Sequence, residues 1–305
     1  MIKRVLFVLL CVVGAYNIYA QNKPFEGDVV YESYTQLENL SKKKQKRKDA
    51  GIVTITKFSV KNGRVHSMDK NDLYHSVIDI DGKINIGWIV PAKMGMDIGL
   101  VAPEYAFGEL QRMKIIRNSF AKRSTVQTIL GHPCTLYDGQ IICKDISFNG
   151  DDLSKNNEEY AVIYRYDVKA YLADDMLAPS CYKGEFMTGS CSSLMPNVPL
   201  KIIVRQTQLN DKYQVGNHST SYYEYDAVEI TPRVVGDEEF DIPDYDYFTE
   251  PMPDTDDMNF SKIFKLIKFM KRLKKWQKTV EKYTKLDESA KTTGIHYKTD
   301  GEWEF

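Results

Sequence analysis

The chain lacks every common catalytic fingerprint. It has no G-x-S-x-G elbow, no phosphate-binding loop, no dinucleotide-binding glycine pattern and no HExxH. It has only five histidines, His66, His75, His132, His218 and His296, and none stands in a Cys/His cluster. Asp79-Ile80-Asp81-Gly82-Lys83 opens like a calcium loop, but the distal Glu is missing, so it reads as a hairpin turn. Acids are plentiful, yet nothing singles out a carboxylate pair for glycoside hydrolysis. These absences point away from an enzyme and give no reason to expect a cofactor or a metal. His66 and His75 flank a hairpin and meet on one sheet face, either as an ordinary polar strand face or as a metal pair. No apolar run reaches the roughly 20 residues that span a bilayer. Charge of neither sign dominates: 41 bases stand against 42 acids, so no nucleic-acid partner is expected.

The first twenty residues carry an address. "MIKR" is basic, "VLFVLLCVVG" is a short apolar run, and Ala20 precedes Gln21 as a small residue at a cleavage position. This is the pattern of a secretory signal peptide over residues 1–20, with export to the periplasm or the periplasmic face of the outer membrane. A lipidated Cys11 is the rival reading, disfavoured by the bulk of Leu10. Cleavage leaves Cys134, Cys143, Cys181 and Cys191, an even count that reads as disulfides in an exported chain. Asp138-Gly139 is a two-residue turn signal, and pairing outward from it sets Cys134 opposite Cys143. Cys181 and Cys191 then close the loop between them.

From residue 21 to 235 the chain is a succession of short β-like runs such as "GDVVYESYT", "GIVTITKFSV", "EYAVIYRYD" and "PLKIIVRQT". Asn62-Gly63, Asp81-Gly82, Asp138-Gly139 and Asn149-Gly150 punctuate them. The expected fold is mainly β, a strongly curved antiparallel sheet or incomplete barrel with few helices. "PEYAFGELQRMKIIRN", Pro103 to Asn118, is the best helical candidate before the C-terminus. Ser41 to Gly51 carries six bases and reads as a solvated loop or as an arm for an anionic surface. Residues 236–258 hold ten acids, three prolines and no base, and read as an extended, self-repelling linker. Residues 286–305 form a tail, as a short hairpin or disordered.

"FEGDVVYESY", "ILGHPCTLY", "YAVIYRYDVKAYLADDM", "PNVPLKIIVRQ" and "DAVEITPRVVGDEEFDIP" follow in that order over about residues 25–248. This succession resembles an uncharacterised exported-domain family similar in fold to the outer-membrane lipoprotein carriers LolA and LolB. The resemblance implies an incomplete, curved barrel that binds something apolar, a lipid or a lipoprotein segment, or serves as a scaffold. It transfers no residue-level function. The acidic segment, the basic helix and the tail lie outside it.

Two groups of residues are candidates for binding. Trp88, Met94, Met96, Ile98, Leu100 and Phe107 lie in a glycine-rich apolar stretch suited to an adaptable ligand lining, or to plain core packing. Residues 259–285 predict a basic amphipathic helix. Its apolar positions include Phe260, Ile263, Ile267, Met270, Leu273 and Trp276. Lys268, Lys271, Arg272 and Lys275 stand among the eight bases of its outer face. Its flanks are apolar where a coiled coil carries pairing charges, so it is expected to dock on the sheet or to enter an anionic membrane surface. An envelope protein is the alternative partner for the helix and tail.

Overall fold

The computed structural model describes residues 23–38, 52–101, 113–145, 162–179, 194–210, 212, 215–250 and 260–288. The strands are β1 (Gly27–Glu38), β2 (Ile52–Lys61), β3 (Arg64–Asp69), β4 (Tyr74–Asp79), β5 (Ile84–Ile89), β6 (Met94–Asp97), β7 (Met113–Asn118), β8 (Ala121–Ile129), β9 (His132–Asp145), β10 (Val162–Leu177), β11 (Asn197–Leu209), β12 (Val215–Pro232) and β13 (Asp246–Phe248). Among the described residues two α-helices accompany them, the single turn α1 (Ile98–Val101) and the long α2 (Phe260–Glu288).

All thirteen strands belong to one open sheet, ordered β13-β6-β5-β4-β3-β2-β1-β12-β11-β10-β9-β7, with β8 also on β9. Every pairing is antiparallel except β13 on β6. Two meanders, β2 to β6 and β9 to β12, are joined by β1, which lies between β2 and β12. The expected fold class therefore holds. Register shifts in the β1–β12 and β10–β11 pairs mark bulges, the devices that bend and coil a large sheet.

Alternation along the strands sorts side chains onto two faces. One face is the main core. Val29, Tyr31, Val60, Val65, Val168, Ala170, Leu172, Val198, Leu200, Ile202 and Val204 are buried there. Tyr31 lies deep enough that its hydroxyl donates to the Pro199 carbonyl at 2.7 Å. The opposite face is polar and carries Asp28, Lys57, Ser59, Lys201, Glu224 and Asp226 at alternating positions.

Part of that polar face is covered by residues 233–248, which run back across β2 to β5 before joining the edge as β13. Val235 and Phe240 bury against Val77 and Trp88, with Tyr245 and Tyr247 beside them. The strap is fastened by Arg233. Its Nε and Nη2 donate to the two carboxylate oxygens of Asp28 at 2.9 and 2.7 Å, and its Nη1 donates to Glu239 at 2.6 Å. Ser59 donates to Asp28 at 2.8 Å, and Lys57 pairs with it at 2.8 Å. Burial works against the Asp28 charge, but the bonds from Arg233, Lys57 and Ser59 outweigh it and hold the carboxyl below the usual range. The bond from Arg233 does the same for Glu239. Asp237 pairs with Lys61 and Arg64, and the Arg64 guanidinium lies 4.4 Å from the Phe240 ring centroid.

Three expectations are corrected. Asp138-Gly139 is not a turn. The hairpin turn is Leu130-Gly131, with φ of 50° and 86°, and β9 runs straight on through Asp138 because β10 pairs with it continuously from Asp145 to Cys134. Gly139 serves a close approach instead: at its φ of 150°, a Cβ would lie 2.3 Å from the Ser119 carbonyl oxygen. Cys134 and Cys143 are therefore nine residues apart on one strand, about 30 Å at the strand rise, and are buried thiols rather than a bridge. Cys181 and Cys191 lie outside the described residues. Secondly, the end of the Pro103–Asn118 helical candidate is strand β7. Thirdly, residues 236–250 of the acidic segment do not stand free: they carry β13, and Lys61, Arg64 and Arg233 pair with two of their acids, Asp237 and Glu239.

Two outcomes follow. Cys134 and Cys143 are expected to take up a thiol alkylating agent in denaturant without prior reduction, seen in peptide masses; labelling only after reduction would contradict their thiol state. Arg233→Ala is expected to lower stability by roughly 2 to 3 kcal/mol at pH 7 in urea unfolding, less than a fully buried pair because Arg233 is partly exposed. Asp28 and Glu239 are depressed in the fold, so their contribution is present above the ordinary carboxylate value, about 4, and is lost as pH falls through their folded values. The stability gap between wild type and Arg233→Ala should therefore shrink on acidification to pH 3.

Candidate functional site

The glycine-rich candidates do not share one surface. Trp88 is buried on the polar face, beneath the strap. Gly95 stands opposite it in the register, where a Cβ would meet the Tyr247 ring at 2.2 Å. Met94 and Met96 point to the other face, and Met96 packs with Phe248, Phe269 and Leu273. Ile98 and Leu100 sit on α1, where Leu100 is exposed. Phe107 lies outside the described residues. Period-two alternation separates residues that a simple count of apolar content groups together.

The helix expected over 259–285 is α2, and its docking is narrow. Phe269 buries against Phe248 of β13 with ring centroids 5.2 Å apart, and Leu273 adds to the same cluster. Glu250 accepts from Arg272 at 2.7 Å and pairs with Lys268 at 3.4 Å. The Arg272 guanidinium lies 5.4 Å from the Phe248 ring centroid. Burial disfavours the Glu250 charge, but Arg272 and Lys268 outweigh it and hold its carboxyl below the usual range. Among the described acids of residues 236–250, Glu250 is the one seen pairing with α2.

The apolar side chains of α2 divide into two arcs. At 3.6 residues per turn, Leu266, Phe269, Leu273 and Trp276 fall within about 80° of one another, on the docked side. Phe260, Ile263, Phe264, Ile267 and Met270 span about 120°, centred about 140° away. They are exposed at 82, 37, 68, 45 and 53 %, respectively. Beyond Met270 that same arc turns basic, with Lys271, Lys274, Lys275, Lys278 and Lys282 all exposed. Phe264 stands at one edge of the exposed arc, whose middle is Ile267, and is missed by a heptad reading, which places it on the outer face beside the lysines. Taken turn by turn, the first three turns of the helix are apolar on this side and the next three are basic.

His66 and His75 do meet. His66 Nε2 lies 2.9 Å from His75 Nδ1, and His75 Nε2 lies 2.7 Å from Asp72 Oδ1. Trp88 stacks on both rings. Among the described residues no three His, Cys, Asp or Glu side chains converge as a metal-ligand group. No helix among them is long and apolar enough to cross a membrane.

No protein-family model and no curated protein matches the sequence. Among solved structures, a LolA superfamily protein from Nitrosomonas europaea aligns with a TM-score of 0.33 and 8 % identity, covering 73 % of this chain and 93 % of that one. A likeness that slight carries no functional meaning for this chain.

Proposed function

We propose that the chain is a non-catalytic, exported lipid-binding protein that works at the surface of an anionic membrane, with the sheet as scaffold and the exposed arc of α2 as the element that enters the lipid. The observation that carries this reading is the exposed row Phe260, Ile263, Phe264, Ile267 and Met270, continued on the same side by Lys271, Lys274, Lys275 and Lys278. Apolar side chains enter the boundary between head groups and acyl chains, and lysines on the same side meet anionic head groups. A water-exposed row of this size on a helix that already docks by another side calls for a second apolar partner. The basic run selects anionic lipid over an uncharged apolar protein surface. Support for export is the leader-like pattern of residues 1–20.

A ligand cavity over the apolar sheet face is less well supported. Val29, Val60, Val198, Leu200 and Ile202 are fully buried, so an acyl chain seated there would displace protein. The residues expected to line such a cavity are dispersed over both faces.

The test is sedimentation with vesicles of phosphatidylcholine alone and with phosphatidylglycerol added. Binding is expected to anionic vesicles and to weaken with salt. Phe264→Glu should abolish most of it while leaving the unfolding midpoint unchanged. Replacing Lys271, Lys275 and Lys278 with Gln removes about 3 kcal/mol of head-group attraction, roughly a hundredfold in affinity. Equal binding to neutral and anionic vesicles, or none to either, would overturn the reading.

A further inference from the structure

The half-buried histidine pair lies where the strap crosses the sheet. His66 is on β3, His75 is at the start of β4, and Asp72 is in the turn between the two strands. The Trp88 indole stacks on the two imidazoles with centroids 5.9 and 5.4 Å apart, and the rings themselves are 5.1 Å apart. Trp88 also belongs to the cluster that buries Val235 and Phe240 of the strap. The strap leads on to β13, and β13 seats α2 through Phe248.

The hydrogen-bond chain admits one arrangement with both rings neutral. His75 donates its Nε2–H to Asp72 and accepts at Nδ1 from the Nε2–H of His66. One added proton is accommodated. His75 then carries it and donates from both nitrogens, to Asp72 and to a bare His66 Nε2, while the proton of His66 moves to its Nδ1. A second proton is not. It sets two N–H groups face to face at 2.9 Å and stacks two cations under one indole. We propose that the His66–His75 pair is a proton-operated latch: with no added proton or one it holds, and a second proton parts the rings and loosens the strap that carries β13 and α2.

The surroundings set the working range. Burial and the neighbouring His75 push His66 down to about 4, with Lys57 of β2 acting the same way and with Glu239 of the strap and Asp72 of the turn opposing. Arg64 of β3 is engaged by Asp237, and the strap presents Tyr245 and Tyr247 to the cluster around Trp88. A His66 released from the pair returns towards the ordinary histidine value, about 6.5. The latched state is therefore fully favoured above that value and weakens as pH falls from it towards 4. The carboxylates that bind Arg233 act in a separate and more acidic range.

Hydrogen exchange of residues 233–248, followed by mass spectrometry and corrected for the intrinsic pH effect, tests this without any lipid present, so its outcome is independent of vesicle binding. Opening of the strap is expected to rise by up to about tenfold per pH unit between 6.5 and 4. In His66→Gln, whose amide can still donate to His75, that rise should be absent until the carboxylates titrate. The same rise in His66→Gln, or none in the wild type, would overturn the latch. If His66→Gln does not fold, the wild-type His66 ring proton resonance decides the matter. A midpoint near 4 that tracks strap opening supports the latch, and a midpoint above 6 overturns it.

Discussion

One guanidinium fastens this molecule. Arg233 lies at the end of the last long strand, β12, and reaches back to Asp28 near the start of the first. It also holds Glu239 in the segment that follows. Without that fork Asp28 and Glu239 would lose their shared cation, and Val235 and Phe240 would be held against Trp88 only by Lys61, Arg64 and Glu26. Through the strap, the fork determines where β13 meets β6 and where α2 finds Phe248. Arginine suits the task because its planar donors match two carboxylates at once.

The division of α2 into two arcs resolves a competition that a single apolar face sets up. A helix with one stripe must choose between its own sheet and another apolar surface. Here Phe269 and Leu273 serve the sheet, while Phe264 and its neighbours stay in water. Docking and membrane contact are thus compatible in one conformation. Exposed apolar area costs free energy in water, and its retention on a helix bordered by lysines is what supports the proposed contact with a lipid surface.

Much of the fold was legible in the chain. Val, Ile, Tyr and Thr in short alternating runs, divided at Asn62-Gly63 and Asp81-Gly82, point to an antiparallel sheet, and those turns stand where they were read. The helix was legible from its spacing, to within a few residues at its end. Asp138-Gly139 misled because a local turn signal is overridden by a long partner strand. The same dipeptide serves a close backbone approach once β10 pairs across it. The strap was illegible for a related reason. Its acids find partners at Lys61, Arg64 and Arg233, two of them more than 170 residues away. Composition reports self-repulsion and is blind to distant counter-charges. The histidine pair was foreseen as two residues on one face, but its carboxylate and its indole come from tertiary packing.

The claim on which the rest turns is that α2 docks by one arc and meets lipid by the other. Single-cysteine variants in a background without other cysteines, carrying an environment-sensitive fluorophore at position 264 or at position 273, would read both arcs as anionic vesicles are added. The label at 264 should shift to the blue and be quenched by brominated acyl chains, while the label at 273 stays as it was. A blue shift at both positions, or at 273 alone, would show that the helix leaves the sheet to bind and would contradict the account.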